Sequence, residues 1–188
     1  MSSFFEFMKT PLNGLYRIER KQKTDQRGFF SRLFCSEEFE EIGLSKPFVQ
    51  VNHSMTKKKG AVRGMHFQYP PHAESKLVTC ISGEILDIVV DIRSNSKTYL
   101  QWYSRVLSDK NLASLYIPEG FAHGFQTLTE DCQLLYLHSE FYKPTAEAVI
   151  NPLDPILSIE WPSQISEISE KDENQPMLDN TFKGLDVS

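Results

Sequence analysis

Short runs of aromatic and β-branched residues, each cut off by turn formers, fill the middle of this chain and restrict it to a sheet protein. The run KLVTCISGEILDIVVDIR, from Lys76 to Arg93, reads as two strands joined near Ser82 and Gly83, a hairpin with glycine at its turn. Three more strand-length segments follow: Leu112 to Ile117, Phe121 to Leu128 and Cys132 to Tyr142. Pro118-Glu119-Gly120 and Thr129-Glu130-Asp131 supply the turns between them. Only SEEFEEI, from Ser36 to Ile42, has a helical pattern, with Ser36 placed to cap it and acidic residues in its first turn. The expectation is an all-β antiparallel barrel or sandwich with a few short helices.

The chain has 188 residues, 40% of them hydrophobic, which suits a single domain over 1–188 whose core needs no disulfide or metal. From Trp161 onward the composition turns polar, through SQISEISEKDENQ, and reads as a tail or a lid; composition alone favours a solvated tail. Lys and Arg total 20 against 25 Asp and Glu, a net charge of -5 that argues against a nucleic-acid surface. Cys35, Cys80 and Cys132 are odd in number and outside any CxxC pattern, so the expectation is a reducing, cytoplasmic setting. The start, MSSFFEFM, has no signal-peptide character, and no apolar window is long enough to span a membrane as a helix.

Two segments carry the chemistry. In Cys132 to Tyr142, alternation sets Leu135, Leu137 and Phe141 on one face and Tyr136, His138, Glu140 and Tyr142 on the other. That titratable face fits either a solvated strand surface or a proton-donating pocket wall. Gln50, Asn52 and Ser54 share one face of a second strand, three hydrogen-bonding side chains in a row. In VRGMHFQ, Arg63 and His66 have opposite parity, so a regular strand cannot aim both into one cavity; a bulge or twist near Gly64 is required. A barrel metal site would want an HxH pair. His66 is followed instead by Phe67 and Gln68, and Pro70-Pro71 separates it from His72 and Glu74, so no metal is expected. Lys76 alone reads as a surface lysine at a strand end.

Taken together, DQRGFF (Asp25 to Phe30), FVQVNHS (Phe48 to Ser54), VRGMHFQ (Val62 to Gln68), SKLV (Ser75 to Val78), IPEGFAHGF (Ile117 to Phe125), LLYLHSEFY (Leu134 to Tyr142) and SEKD (Ser169 to Asp172) resemble the dTDP-4-dehydrorhamnose 3,5-epimerase family. The resemblance runs from about Leu12 to Pro176. It implies a cupin-type antiparallel β-barrel (jelly roll), a homodimer, no metal or organic cofactor, and a nucleotide-diphosphate sugar as substrate. By the same resemblance the barrel core covers about 12–162, and 163–188 packs partly over the site as a lid. His66 matches the family's base, Asp172 the carboxylate that orients it, Tyr136 the acid on the opposite face and Lys76 the cation that stabilises an enolate. Arg27 and Arg63 match pyrophosphate contacts, Gln50 and Asn52 polar ligand contacts, Phe30 and Tyr142 nucleotide-side contacts, and His123 a sugar-side contact.

Three positions depart from the family pattern: Arg32 where a Glu is common, Leu137 where a Lys is common, and Phe141 in place of a frequent Tyr. They remove no proton-transfer group but leave open a CDP- or GDP-linked substrate and a C3-only epimerase; separate alternatives are a ketoisomerase and a non-catalytic sugar-nucleotide-binding cupin, the latter opposed by the presence of His66, Asp172, Tyr136 and Lys76 together. A metal-dependent cupin oxygenase is the remaining alternative, and the missing HxH counts against it.

Overall fold

The β-branched and aromatic runs become strands that sort into two facing sheets in the computed structural model, which describes residues 3–187. Strands are numbered along the chain. The first sheet has the spatial order β1 (Phe5–Lys9), β2 (Tyr16–Arg20), β10 (Ala113–Ile117), β7 (Lys76–Ser82), β12 (Cys132–His138), β5 (Gln50–Thr56). The second has the order β13 (Glu147–Val149), β6 (Ala61–Gln68), β11 (Phe121–Thr127), β8 (Glu84–Asp91), β9 (Trp102–Ser108). A short strand, β14 (Glu167–Ile168), joins β6 in parallel; the other ladders are antiparallel. Strands β3 (Gln22–Asp25) and β4 (Gly28–Ser31) form a separate exposed hairpin. Among the described residues, helices are confined to α1 (Ser36–Phe39), continued by a 3-10 turn over Glu40–Ile42, and α2 (Glu170–Glu173). This is the antiparallel cupin-type jelly roll that the resemblance implied.

The expected hairpin at Ser82 and Gly83 is not one. β7 pairs with β10 and β12, whereas β8 pairs with β11 and β9, so the chain crosses from one sheet to the other at Gly83. β10, β11 and β12 alternate between the sheets in the same way. The reason lies in their burial: β7 is buried at five consecutive positions, Lys76 to Cys80, and β8 at five, Asp87 to Asp91. Strands apolar on both faces need a neighbour at each edge and cover above and below, which a two-stranded hairpin cannot give. Smaller corrections concern ends. β11 stops at Thr127 and β12 at His138, and Ser36 is the first helical residue, with Cys35 in the cap position and no side-chain cap bond.

Between the sheets, Val78, Cys80, Leu115, Ile117 and Leu134 from the first meet Ile85, Val89, Leu107, Phe121 and Phe125 from the second in a dry plug. The outer face of the first sheet is covered by Phe39 and Ile42 packed on Phe5, Ile18 and Leu77. The outer face of the second sheet, with Met65, Phe67, Ile88 and Val90, is covered by Ile150, Leu157 and the C-terminal segment through Leu178, Phe182 and Leu185. Residues after Trp161 are therefore not a solvated tail. Their few apolar side chains are spaced to land on one sheet face, and their backbone adds β14 to the sheet edge.

Gly83 has φ +80°, and a Cβ there would lie 2.7 Å from Thr129 Oγ1 and 2.9 Å from Cys132 Sγ. Gly83→Ala is expected to destabilise the fold by about 1–3 kcal/mol through left-handed strain and overpacking, read as a lower urea midpoint with an unchanged m-value. An unchanged midpoint would mean that this crossing is not sterically constrained.

Candidate active site

Above the dry plug the barrel opens into a cavity of about 290 Å³ between the two sheets. Inward positions on β5, β7 and β12 contribute Asn52, Ser54, Lys76, Tyr136 and His138 from the first sheet. Inward positions on β6 and β11 contribute Arg63, His66, Gln68 and His123 from the second. Alternation on β12 thus places Leu134 in the plug and Tyr136 and His138 in the cavity wall. Tyr142 reaches the same cavity after the strand has ended, its backbone N–H donating to Gln50 Oε1 at 3.1 Å.

Arg63 and His66 line this cavity together despite their opposite parity. The β6–β11 ladder pairs His66 with His123 and Arg63 with Phe125, so three steps on β6 oppose two on β11. That extra residue is a bulge, and it returns Arg63 to the face of His66. Gly64, in the bulge, has φ +125°, and a Cβ on it would sit 2.5 Å from Gly124 Cα. Only glycine fits where two backbones approach this closely.

Three histidines in the cavity wall are each bonded to one carboxylate. His66 Nε2 lies 2.8 Å from Asp172 Oδ1, His123 Nε2 2.8 Å from Asp87 Oδ2, and His138 Nδ1 2.9 Å from Glu74 Oε2. Asp172 is carried by α2 from the C-terminal segment. Ser169 caps this helix, its hydroxyl accepting from the Asp172 N–H at 3.1 Å, while the Asp172 carboxylate also accepts from the Gly64 N–H at 3.3 Å. Burial alone would raise the Asp172 carboxyl, but the His66 hydrogen bond and charge outweigh it and hold it below the ordinary value. With the ionised Asp172 accepting from Nε2–H, Nδ1 is the ring nitrogen without a hydrogen-bond partner among the described residues.

Asp87 is fully buried, and burial pushes its carboxyl up against the opposing pull of His123 and Lys76; its Oδ1 has no hydrogen-bond partner. Burial likewise raises the Tyr136 phenol, with Asp87 adding to the shift and Ser54 and Arg63 opposing it. The phenol oxygen lies 3.2 Å from Ser54 Oγ, and its ring meets His123 edge-on at 6.2 Å. Tyr136 is therefore a protonated donor over the whole neutral range. Lys76 Nζ donates to the His66 carbonyl at 3.3 Å and lies 3.2 Å from Glu74 Oε1. Glu74 is raised by burial but brought below its ordinary value by Lys76 and His138. At the rim, Glu147 Oε2 accepts from Tyr142 OH at 2.8 Å and from Lys171 Nζ at 2.5 Å, tying α2 to the cavity edge.

The structure thus gathers His66, Asp172, Tyr136, Lys76, Arg63, Asn52, His123 and Tyr142 at one cavity, with Gln50 at its edge. Arg27 and Phe30 are elsewhere. They sit on the β3–β4 hairpin, where the Arg27 side chain is 89% exposed and paired with Asp25, and Phe30 is 60% exposed. Arg32 pairs with Glu38 at 2.7 Å and stacks on Phe4. Sequence reasoning missed Asp87, Glu147 and Lys171. Asp87 had a visible signal, a charged residue inside the apolar run EILDIVVDIR. Among the described residues, no three His, Cys, Asp or Glu side chains converge as a metal shell would require.

A curated dTDP-4-dehydrorhamnose 3,5-epimerase of Salmonella typhimurium is 45% identical over 177 residues, 93% of this chain and 96% of the relative. The crystal structure of dTDP-4-dehydrorhamnose 3,5-epimerase from Elizabethkingia anophelis superposes with a TM-score of 0.90 at 38% identity, covering 96% of this chain and 100% of that one. A dTDP-6-deoxy-D-glucose-3,5-epimerase of Legionella pneumophila, solved in complex with dTDP-4-keto-L-rhamnose, gives 0.85 at 39% identity, with 89% of both chains covered. The family model for dTDP-4-dehydrorhamnose 3,5-epimerase matches residues 9–180, and the chain belongs to that family.

Proposed function

We propose that this chain inverts C3 and C5 of dTDP-4-dehydro-6-deoxyglucose, giving dTDP-4-dehydrorhamnose, by proton abstraction and reprotonation through an enolate. The observation that carries this reading is that the His66 imidazole and the protonated Tyr136 phenol line one cavity from opposite sheets. The C4 ketone acidifies the protons on C3 and C5. His66 takes such a proton from one face of the ring, and the electron pair moves into the C4 oxygen. The Lys76 ammonium, two of whose donors are spoken for, offers its third to that oxygen as charge develops. Tyr136 returns a proton from the opposite face, and transfer from imidazolium to phenolate through solvent resets the pair. The inversion involves no redox change, only proton transfers that the chain's own side chains can carry, and it is read as independent of metal or organic cofactor.

Arg63, with no ion-pair partner among the described residues, is the proposed diphosphate contact, with Asn52, Gln50, His123 and Tyr142 as further ligand contacts. Arg27 and Phe30 are assigned the same role in a partner's site. Exposed apolar side chains at Val49, just before β5, at Val51 and Met55 on β5, and at Phe29 and Phe30 on the hairpin support a homodimer that would bury them. The whole of 1–188 is read as one catalytic unit working in the cytoplasm.

Incubation in D₂O with dTDP-, CDP- and GDP-linked 4-keto-6-deoxyglucose, followed by NMR, is expected to show deuterium entering both C3 and C5 of the dTDP sugar. Exchange at C3 alone would select a single epimerase, and none with any sugar would remove the reading. His66→Ala is expected to abolish exchange, and Asp172→Asn to slow it about 10²- to 10⁴-fold, the usual worth of a positioned acid or base. Tyr136→Phe should still exchange but fail to invert the carbon it reprotonates; full inversion would exclude Tyr136. Mixing inactive Arg27→Ala and His66→Ala protomers should restore activity if subunits share sites, and sedimentation of the wild type as a monomer would refute the dimer.

A further inference from the structure

Two residues of the cavity wall, Glu74 and His138, have no role in this reading, yet they link Lys76 to its ligand contacts through one series of hydrogen bonds. It begins at the Tyr142 backbone N–H, which donates to Gln50 Oε1 at 3.1 Å. Gln50 Nε2–H donates to Asn52 Oδ1 at 3.2 Å. Asn52 Nδ2 lies 3.3 Å from His138 Nε2, and His138 Nδ1 lies 2.9 Å from Glu74 Oε2. Glu74 Oε1 meets Lys76 Nζ at 3.2 Å.

The directions of these bonds are not independent. Asn52 Oδ1 already accepts from Gln50, so the Asn52 amide group facing His138 is a donor, and His138 Nε2 must accept. The imidazole then carries its single proton on Nδ1, which points at the Glu74 carboxylate. Every donor in the series is aimed toward Glu74, from Tyr142 at one end and from Lys76 at the other. Glu74 is nine-tenths buried and ionised below the ordinary range, because Lys76 and His138 outweigh the cost of its burial.

We propose that Glu74 and His138 are positioning residues that aim the Lys76 ammonium at the C4 oxygen and join it, through Asn52 and Gln50, to the nucleotide side of the cavity. Lysine is a compact charge on a flexible stem with rotatable donors, and alone it has no preferred direction. The His66 carbonyl and Glu74 Oε1 fix two of its three N–H groups, so the third has one direction left, into the cavity. His138 keeps Glu74 from rotating, and Asn52 keeps His138 in the tautomer that does so. Because the series ends on the N–H of Tyr142, a nucleotide seated against Tyr142 and Gln50 steadies the cation through fixed hydrogen bonds.

The kinetic part of this inference rests on the epimerase reading, so its test includes a measurement that does not. In wild-type protein at pH 8, long-range ¹H–¹⁵N NMR of the His138 imidazole is expected to show a neutral ring with its proton on Nδ1. A proton on Nε2, or on both nitrogens, overturns the proposal whatever the enzyme does. In Glu74→Gln the amide group donates to Nδ1, and the His138 proton is expected to move to Nε2. With dTDP-4-keto-6-deoxyglucose as substrate, Glu74→Gln should lower kcat for C3 and C5 exchange about tenfold to a hundredfold, the cost of misplacing a catalytic group, while KM changes less than about threefold. Glu74→Asp, which keeps the charge, should recover part of kcat and the Nδ1 proton. Wild-type kcat in folded Glu74→Gln, or a loss confined to KM, overturns the proposal. If Glu74→Gln does not fold, the wild-type tautomer and the kcat of Glu74→Asp decide it. Absence of exchange in the wild type counts against the epimerase reading alone, and the tautomer then decides the relay.

Discussion

A carboxylate removed from water must be met by hydrogen-bond donors, and the open end of this barrel is organised around that requirement. Asp87, Asp172 and Glu74 each arrive at the cavity from a different part of the chain, and each is met by a histidine. The pairing acts in both directions. The histidine offsets the cost of burial, enough to hold Asp172 and Glu74 below the ordinary value but not Asp87, and the carboxylate fixes the ring. The apolar plug beneath supplies the complementary half of the arrangement, because its side chains anchor the same strands two residues from the polar ones: Leu134 below Tyr136, Val78 below Lys76, Phe125 below His123.

Two departures from regular geometry bring the polar groups into phase. The bulge at Gly64 lets one strand offer both an arginine and a histidine to a single face, which period-two alternation forbids. The C-terminal segment lies along the open edge of β6 and carries Asp172 behind the imidazole. Neither is a local decoration. Without the first, Arg63 would face away from His66; without the second, the imidazole would lose the acceptor that sets its tautomer.

Much of this was legible in the residues. The all-β class follows from run length and turn chemistry, and alternation groups Tyr136 with His138 and Asn52 with Ser54 on common faces, but alternation alone does not say that the Tyr136 face points inward. The parity conflict between Arg63 and His66 even located the bulge. What alternation cannot encode is pairing, which is a property of distant segments. Ser82 and Gly83 look the same whether the chain folds back or crosses to the facing sheet, and only the two-sided burial of β7 and β8 distinguishes them. Asp87 was passed over because its partner lies 36 residues away on β11. The C-terminal segment looked solvated because its sparse apolar residues have meaning only against the face that receives them.

The 106-residue separation between His66 and Asp172 also ties the cavity to the far end of the chain. The strands β1 to β13 end at Val149, whereas the acceptor behind the imidazole lies on α2, beyond them. The segment that carries it also covers the outer face of the second sheet through Leu178, Phe182 and Leu185. One stretch of chain therefore serves both the hydrophobic packing and the support of the imidazole, and its loss would expose apolar surface and free the ring together.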